Sequence, residues 1–100
     1  MKLENEKALI RTIAEGNTKS FEVLFYSYYP RLKGFICDLL QSPEEAEDIS
    51  QDIFTTLWQN RTSLDKIDNI SAYLFRIAKN AVYRHIERNM LFKNYQQKQT

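Results

Sequence analysis

Residues 42–60 read SPEEAEDISQDIFTTLWQN, and this stretch decides the fold. Ser42 is placed to cap a helix, Pro43 suits its first turn, and Glu45 completes a Ser-x-x-Glu capping box. Glu44, Glu45, Glu47 and Asp48 put negative charge where the helix dipole favours it. Ala46, Ile49, Ile53, Phe54, Leu57 and Trp58 recur at helical spacing and predict one apolar face. At about 100° per residue, Asp48, Gln51, Asp52 and Thr55 fall on the opposite, solvent side. The expected product is a rigid rod with a compact acidic and amide patch. The plain reading of such a patch is solvated surface; the functional one is a protein contact.

The rest of the chain is consistent with a helical setting for that rod. One hundred residues make one domain with a small core. Only two glycines and two prolines leave little material for hairpins, and no long alternating apolar run supports strands. The expected fold class is all-α, a bundle of four main helices. The net charge of +1 hides a partition. Residues 1–68 hold eight Lys/Arg and twelve Asp/Glu, net −4; residues 69–100 hold six and one, net +5. A basic last third suits a polyanion, and an acidic centre suits a protein partner. Cys37 is the only cysteine, so no internal disulfide forms. With no signal peptide and no run of about 20 apolar residues, the chain reads as soluble and cytoplasmic.

Outward from the central stretch, residues 1–16 predict a first helix with Leu3, Ala8, Leu9, Ile13 and Ala14 inward and Gly16 at its end. Asn17 or Thr18 can cap a second helix over about 18–41. Pro30 sits in its middle and should bend or split it; the apolar register resumes beyond, which favours a bend. Tyr26, Tyr28 and Tyr29 read as core and rim packing. Residues 61–70, RTSLDKIDNI, read as the long irregular connection. The last helix is expected from Ser71 to about Met90, burying Leu74, Phe75, Ala78, Ala81, Val82 and Ile86. The polar tail from Lys93, KNYQQKQT, reads as frayed or as the start of a linker, giving a domain over 1–92.

Most catalytic templates fail. His85 is the only histidine and falls near an apolar face, where a packed role is expected. No Cys/His cluster has metal spacing, and two separated glycines make no phosphate loop. No cofactor, metal or catalysis is expected. The last helix is more telling. Arg76, Lys79, Arg84 and Arg88 supply cations for phosphates. Tyr73 and Tyr83 supply flat faces for unpaired bases, and Asn80 can read a base edge. The plain alternative is an amphipathic helix with a basic solvent face.

The order of these features is more specific than any one of them. FEVLFYSYYPRLKGFI (21–36), EEAEDISQDIFTTLWQNR (44–61) and SAYLFRIAKNAVYRHIER (71–88) together resemble region 2 of bacterial sigma factors of the extracytoplasmic-function (ECF) group. The likeness covers about residues 5–90 and is sharpest in AEDISQDIFTTLW and AYLFRIAKN. It implies that the acidic helix grips the β′ clamp helices of RNA polymerase through Asp48, Gln51 and Asp52, with Thr55 on the same face. It implies that the connection around Lys66–Asn69, with Tyr73 and Arg76, captures a flipped base of the promoter −10 element and holds the opened non-template strand. Lys79, Asn80, Tyr83 and Arg84 extend that track. An anti-sigma factor is a further implied partner.

Two departures stand out. The family's usual aromatic pair at the start of the last helix is Ile70 and Tyr73 here, which bears on base preference. Complete members also have a region 4, and the chain ends at Thr100 where a linker is expected, as a domain excerpt or a naturally short protein would, the excerpt being the favoured reading. The physics limits what this region does alone. Stacking adds about 1–3 kcal/mol per base, comparable to the few kcal/mol that flipping costs, so autonomous DNA binding is expected to be weak. Two other readings stay open. A helix-turn-helix-like DNA-binding regulator would need a short turn before the last helix, where this chain has about ten residues. A helical protein-interaction module would bind through the Tyr73, Arg76 and Tyr83 face.

Overall fold

The computed structural model describes residues 6–99, with side chains through Leu91. Leu3 lies outside the described residues. The element order is α1 (Glu6–Ala14), α2 (Thr18–Leu40), α3 (Pro43–Gln59), the 3₁₀ helix η1 (Arg61–Lys66) and α4 (Ile70–Gln99). The architecture is all-α, and α2 is its hub, packing on α1, α3 and α4. Leu24, Tyr28, Leu32 and Ile36 recur every fourth residue and are all buried, so one stripe of α2 forms the core's spine.

Local chemistry sets the helix ends. Asn17 caps α2, its side-chain oxygen accepting the Ser20 N–H at 3.0 Å. At the other end Gln41 adopts φ 56° and donates its N–H to the Cys37 carbonyl at 2.7 Å, a left-handed stop built without glycine. Gly16, at φ +97°, turns the chain between α1 and α2. Pro30 does not split α2. It has no N–H for the Tyr26 carbonyl, but both residues are exposed, so water can take that carbonyl and the helix runs on.

A buried polar network joins three helices. The Tyr28 hydroxyl donates to Glu6 Oε1 of α1 at 2.8 Å and also hydrogen-bonds Ser71 of α4. Arg31 lies 5.1 Å from the Tyr28 ring and 5.8 Å from that of Phe75. Burial above all, then the hydrogen bond and charge of Glu6, pushes the Tyr28 phenol above its ordinary value. Between α2 and α3 the packing is aromatic. Phe25 stacks on Tyr29 at 4.6 Å and meets Phe54 edge-on at 5.1 Å, while Phe21 lies 5.0 Å from Trp58. Of the three tyrosines, Tyr28 is core, Tyr29 is rim, and Tyr26 is exposed.

The structure corrects several expectations. Residues 61–66 are an ordered 3₁₀ helix, not irregular chain, because Leu64 is buried against α1 and Ile67 packs on the core. α1 buries Ile10 beside Ile13, while Ala8, Leu9 and Ala14 are half-buried. α4 begins at Ile70, one residue early, and its backbone stays helical through Gln99 rather than ending near Met90 or fraying. Ile86 is not core but 37% exposed, since α4 has passed the end of the bundle there.

Candidate functional site

α3 forms much as its sequence dictates. The Ser42 hydroxyl accepts the Glu45 N–H at 3.3 Å, and Pro43 opens the helix. Ala46, Ile53, Phe54 and Leu57 are buried, with Ile49 and Trp58 packed at the edges. Only half of the capping box forms. Glu45 turns its carboxylate to His85 of α4, with Oε2 3.2 Å from Nε2. His85 is half-buried, as its place near the apolar face suggested, and its Nε2 also lies 3.3 Å from Asn89 Nδ2. This contact pins the start of α3 to α4.

The burial of one face of α3 exposes the other. Asp48, Gln51, Asp52 and Thr55 are all exposed. Gln51 donates to Glu47 Oε1 at 3.3 Å, one turn back along the same helix. Asp52 stands on the α4 side of this face, at the rim of a groove between α3 and α4. The face is therefore an acidic surface on a capped helix, with a groove along one side. Among the described residues, no group of three or more His, Cys, Asp and Glu side chains gathers as a metal site.

α4 starts on a cap that the sequence reading assigned to function alone. Asn69 Oδ1 accepts the Ala72 N–H at 3.0 Å, which satisfies one of the first-turn donors. Its amide nitrogen remains available for a partner. Lys66 is exposed at the end of η1, close in sequence to that cap. Ile70 is buried, so the first of the two expected aromatic positions is a core residue here. Tyr73 is half-buried; Arg76, Lys79, Asn80, Tyr83 and Arg84 are exposed.

The structure pairs these residues. The Arg76 guanidinium lies 5.7 Å from the Tyr73 ring, and Lys79 Nζ lies 5.7 Å from the Tyr83 ring. Asn80, Tyr83 and Arg84 share a small surface concavity with Ile77 and Glu87. An exposed cation–ring contact is worth about 0.5–1 kcal/mol, against about 1–3 kcal/mol for a stacked base. A base can therefore displace either cation from its ring and leave it free for phosphate. Tyr73 and Arg84 turn toward α3 and line the groove; Arg76, Lys79 and Tyr83 lie on the far edge.

The sequence reading missed Arg61. Its guanidinium covers the Trp58 ring at 4.4 Å and donates to the Trp58 carbonyl at 3.0 Å, locking η1 onto the end of α3. The spacing of three residues between an aromatic and an arginine was the available signal.

Fold and surfaces define the class: an all-helical domain that sets an acidic helix beside a basic, aromatic one. The family model for sigma-70 region 2 matches residues 24–91, and the chain belongs to that family. It is 31% identical over 75 residues to the ECF RNA polymerase sigma factor RpoE of Cereibacter sphaeroides, covering 73% of this chain and 41% of the relative. It is 23% identical over 83 residues to the RNA polymerase sigma-H factor of Pseudomonas aeruginosa, covering 83% of this chain and 43% of that one. The chain thus spans less than half the length of these relatives. No solved structure matches.

Proposed function

We propose that this chain is the region 2 part of an ECF-type RNA polymerase sigma factor, a transcription initiation factor without catalysis of its own. In this reading Asp48, Gln51, Asp52 and Thr55 bind the β′ clamp helices of the core enzyme. Lys66, Asn69, Tyr73, Arg76, Lys79, Asn80, Tyr83 and Arg84 recognise the promoter −10 element and hold its opened non-template strand. The domain works in the cytoplasm, and an anti-sigma factor is its regulator. No helix among the described residues is long and apolar enough to cross a membrane.

The observation that carries this reading is the juxtaposition of the two faces on one bundle. α3 exposes carboxylates and an amide, while the adjoining α4 exposes cations paired with tyrosines. The carboxylates repel DNA from the protein-facing side. The stacked cations attract a strand to the other side, with rings ready for its bases.

The test is binding of the chain to an isolated β′ clamp-helix fragment, with Asp48→Ala and Gln51→Ala beside wild type. Wild type binds, and each folded variant loses about tenfold in affinity, the scale of a contact worth more than 1 kcal/mol. Circular dichroism checks that both variants keep their helicity. Unchanged affinity in both folded variants would remove α3 from the interface.

A further inference from the structure

Tyr28 is buried in the core stripe of α2, yet its hydroxyl ends at the start of α4. The phenol has one proton, and Glu6 Oε1 of α1 takes it at 2.8 Å. The oxygen is left as an acceptor, so Ser71 is the donor in the bond between the two hydroxyls. Ser71 lies two residues beyond Asn69, whose side chain caps α4. We propose that Tyr28 is a positioning residue for the strand-binding end of α4: by holding the Ser71 hydroxyl, it makes Asn69 rather than Ser71 the cap. The strand-binding part rests on the reading of Asn69, Tyr73 and Arg76 as strand contacts; the choice of cap does not.

Two caps compete because the sequence offers both. Asn and Ser are nearly equal as N-caps, and each precedes the same apolar spacing here. The structure takes the first. Ile70 and Ser71 are both helical, Asn69 Oδ1 accepts the Ala72 N–H at 3.0 Å, and the Asn69 carbonyl accepts the Tyr73 N–H at 3.1 Å. A capping serine leaves the helical conformation and turns its oxygen back to the N–H three residues on, here that of Leu74. Ser71 is kept from this while its hydroxyl is drawn into the core by Tyr28. Glu6 brings α1 into the arrangement, because it fixes the phenol proton and so keeps the oxygen free to accept. Ile70 is 2% exposed and holds the backbone near its place, so the choice of cap governs the first turn and not the whole helix. Under a Ser71 cap both Asn69 bonds break. Asn69 then leaves the helix, and its amide is no longer held in fixed relation to Tyr73 and Arg76.

The test uses the whole chain in three forms beside wild type. Tyr28→Phe keeps the ring and its packing, Ser71→Ala removes the competing cap, and the third form carries both changes. Carbon-13 shifts at residues 70 and 71 report the helix start. They are helical in wild type, move toward extended values in Tyr28→Phe, and return in the double variant. Exchange of the Ala72 amide follows them, about tenfold faster in Tyr28→Phe and restored in the double variant. Affinity for a thymine-rich single-stranded oligonucleotide falls about fivefold in Tyr28→Phe, as when the competent start is about a fifth of the population, and it recovers in the double variant. The clamp-helix fragment binds all forms alike. A residue that only stabilised the fold would show no recovery, since the double variant lacks more contacts than either single one. Unchanged shifts in Tyr28→Phe overturn the proposal, as does a double variant that fails to recover. Shifts that move while strand affinity holds overturn the positioning role. An oligonucleotide that fails to bind wild type counts against the −10 reading, and the carbon-13 shifts still decide the cap.

Discussion

Ser50 and Tyr28 are two buried polar residues with opposite accounts. Ser50 is fully buried on α3, and its hydroxyl has no hydrogen-bond partner. An unmet buried hydroxyl costs about 1–3 kcal/mol, so Ser50→Ala is expected to stabilise the fold by about 1 kcal/mol and raise Tm by about 4–8 °C. A lower Tm would mean that the hydroxyl bonds a buried water. Tyr28, by contrast, is satisfied, and its phenol titrates above the ordinary value because burial and Glu6 disfavour the anion. The folded state therefore holds the proton more tightly than the unfolded chain. That stabilisation is complete below the unfolded value, about pH 10, and is lost as pH rises through the raised folded value. Urea melts between pH 8 and pH 11.5 check this. Wild type is about 1 kcal/mol more stable than Tyr28→Phe at neutral pH, and the gap closes or reverses in the alkaline limb.

At the scale of the element, α3 and η1 differ in how far sequence alone reveals them. α3 announces itself through Ser42, Pro43 and an unbroken apolar spacing, all local signals, and its exposed face follows from the same spacing. η1 does not, because RTSLDK has the composition of a turn, and its order comes from burying Leu64 under α1. Asn69 was legible as polar but not as a cap, since a cap is recognised only once the helix start is known. The Glu45–His85 contact and the groove depend on how α3 and α4 pack, which no spacing within either helix records. Leu64→Ala is expected to cost about 2–3 kcal/mol, with the extra amide exchange concentrated in residues 61–69. Strand binding falls with it, whereas the clamp-helix fragment still binds, because α3 keeps its caps and aromatic packing. Exchange spread evenly over the bundle would mean that η1 is no separate unit.

For the molecule as a whole, the charge partition read from the sequence becomes two neighbouring faces rather than two halves. Four exposed cations, Lys66, Arg76, Lys79 and Arg84, are available to a strand. Four phosphate contacts give a slope near −3 for log K against log salt on single-stranded DNA, and binding of the isolated chain weaker than micromolar at physiological salt. A flat salt dependence would place the α4 face against a protein instead, and nanomolar affinity would contradict the weak autonomous binding expected here. The chain also has its own optical gauge. Trp58 is its single fluorophore of that kind, wedged between Phe21 of α2 and the Arg61 guanidinium of η1. When η1 lifts, the indole loses its cationic cover before the α2–α3 packing gives way. Its emission should therefore move to longer wavelength while the far-ultraviolet signal stays unchanged, so that light emitted from one side chain tells the loosening of a loop from the melting of the bundle.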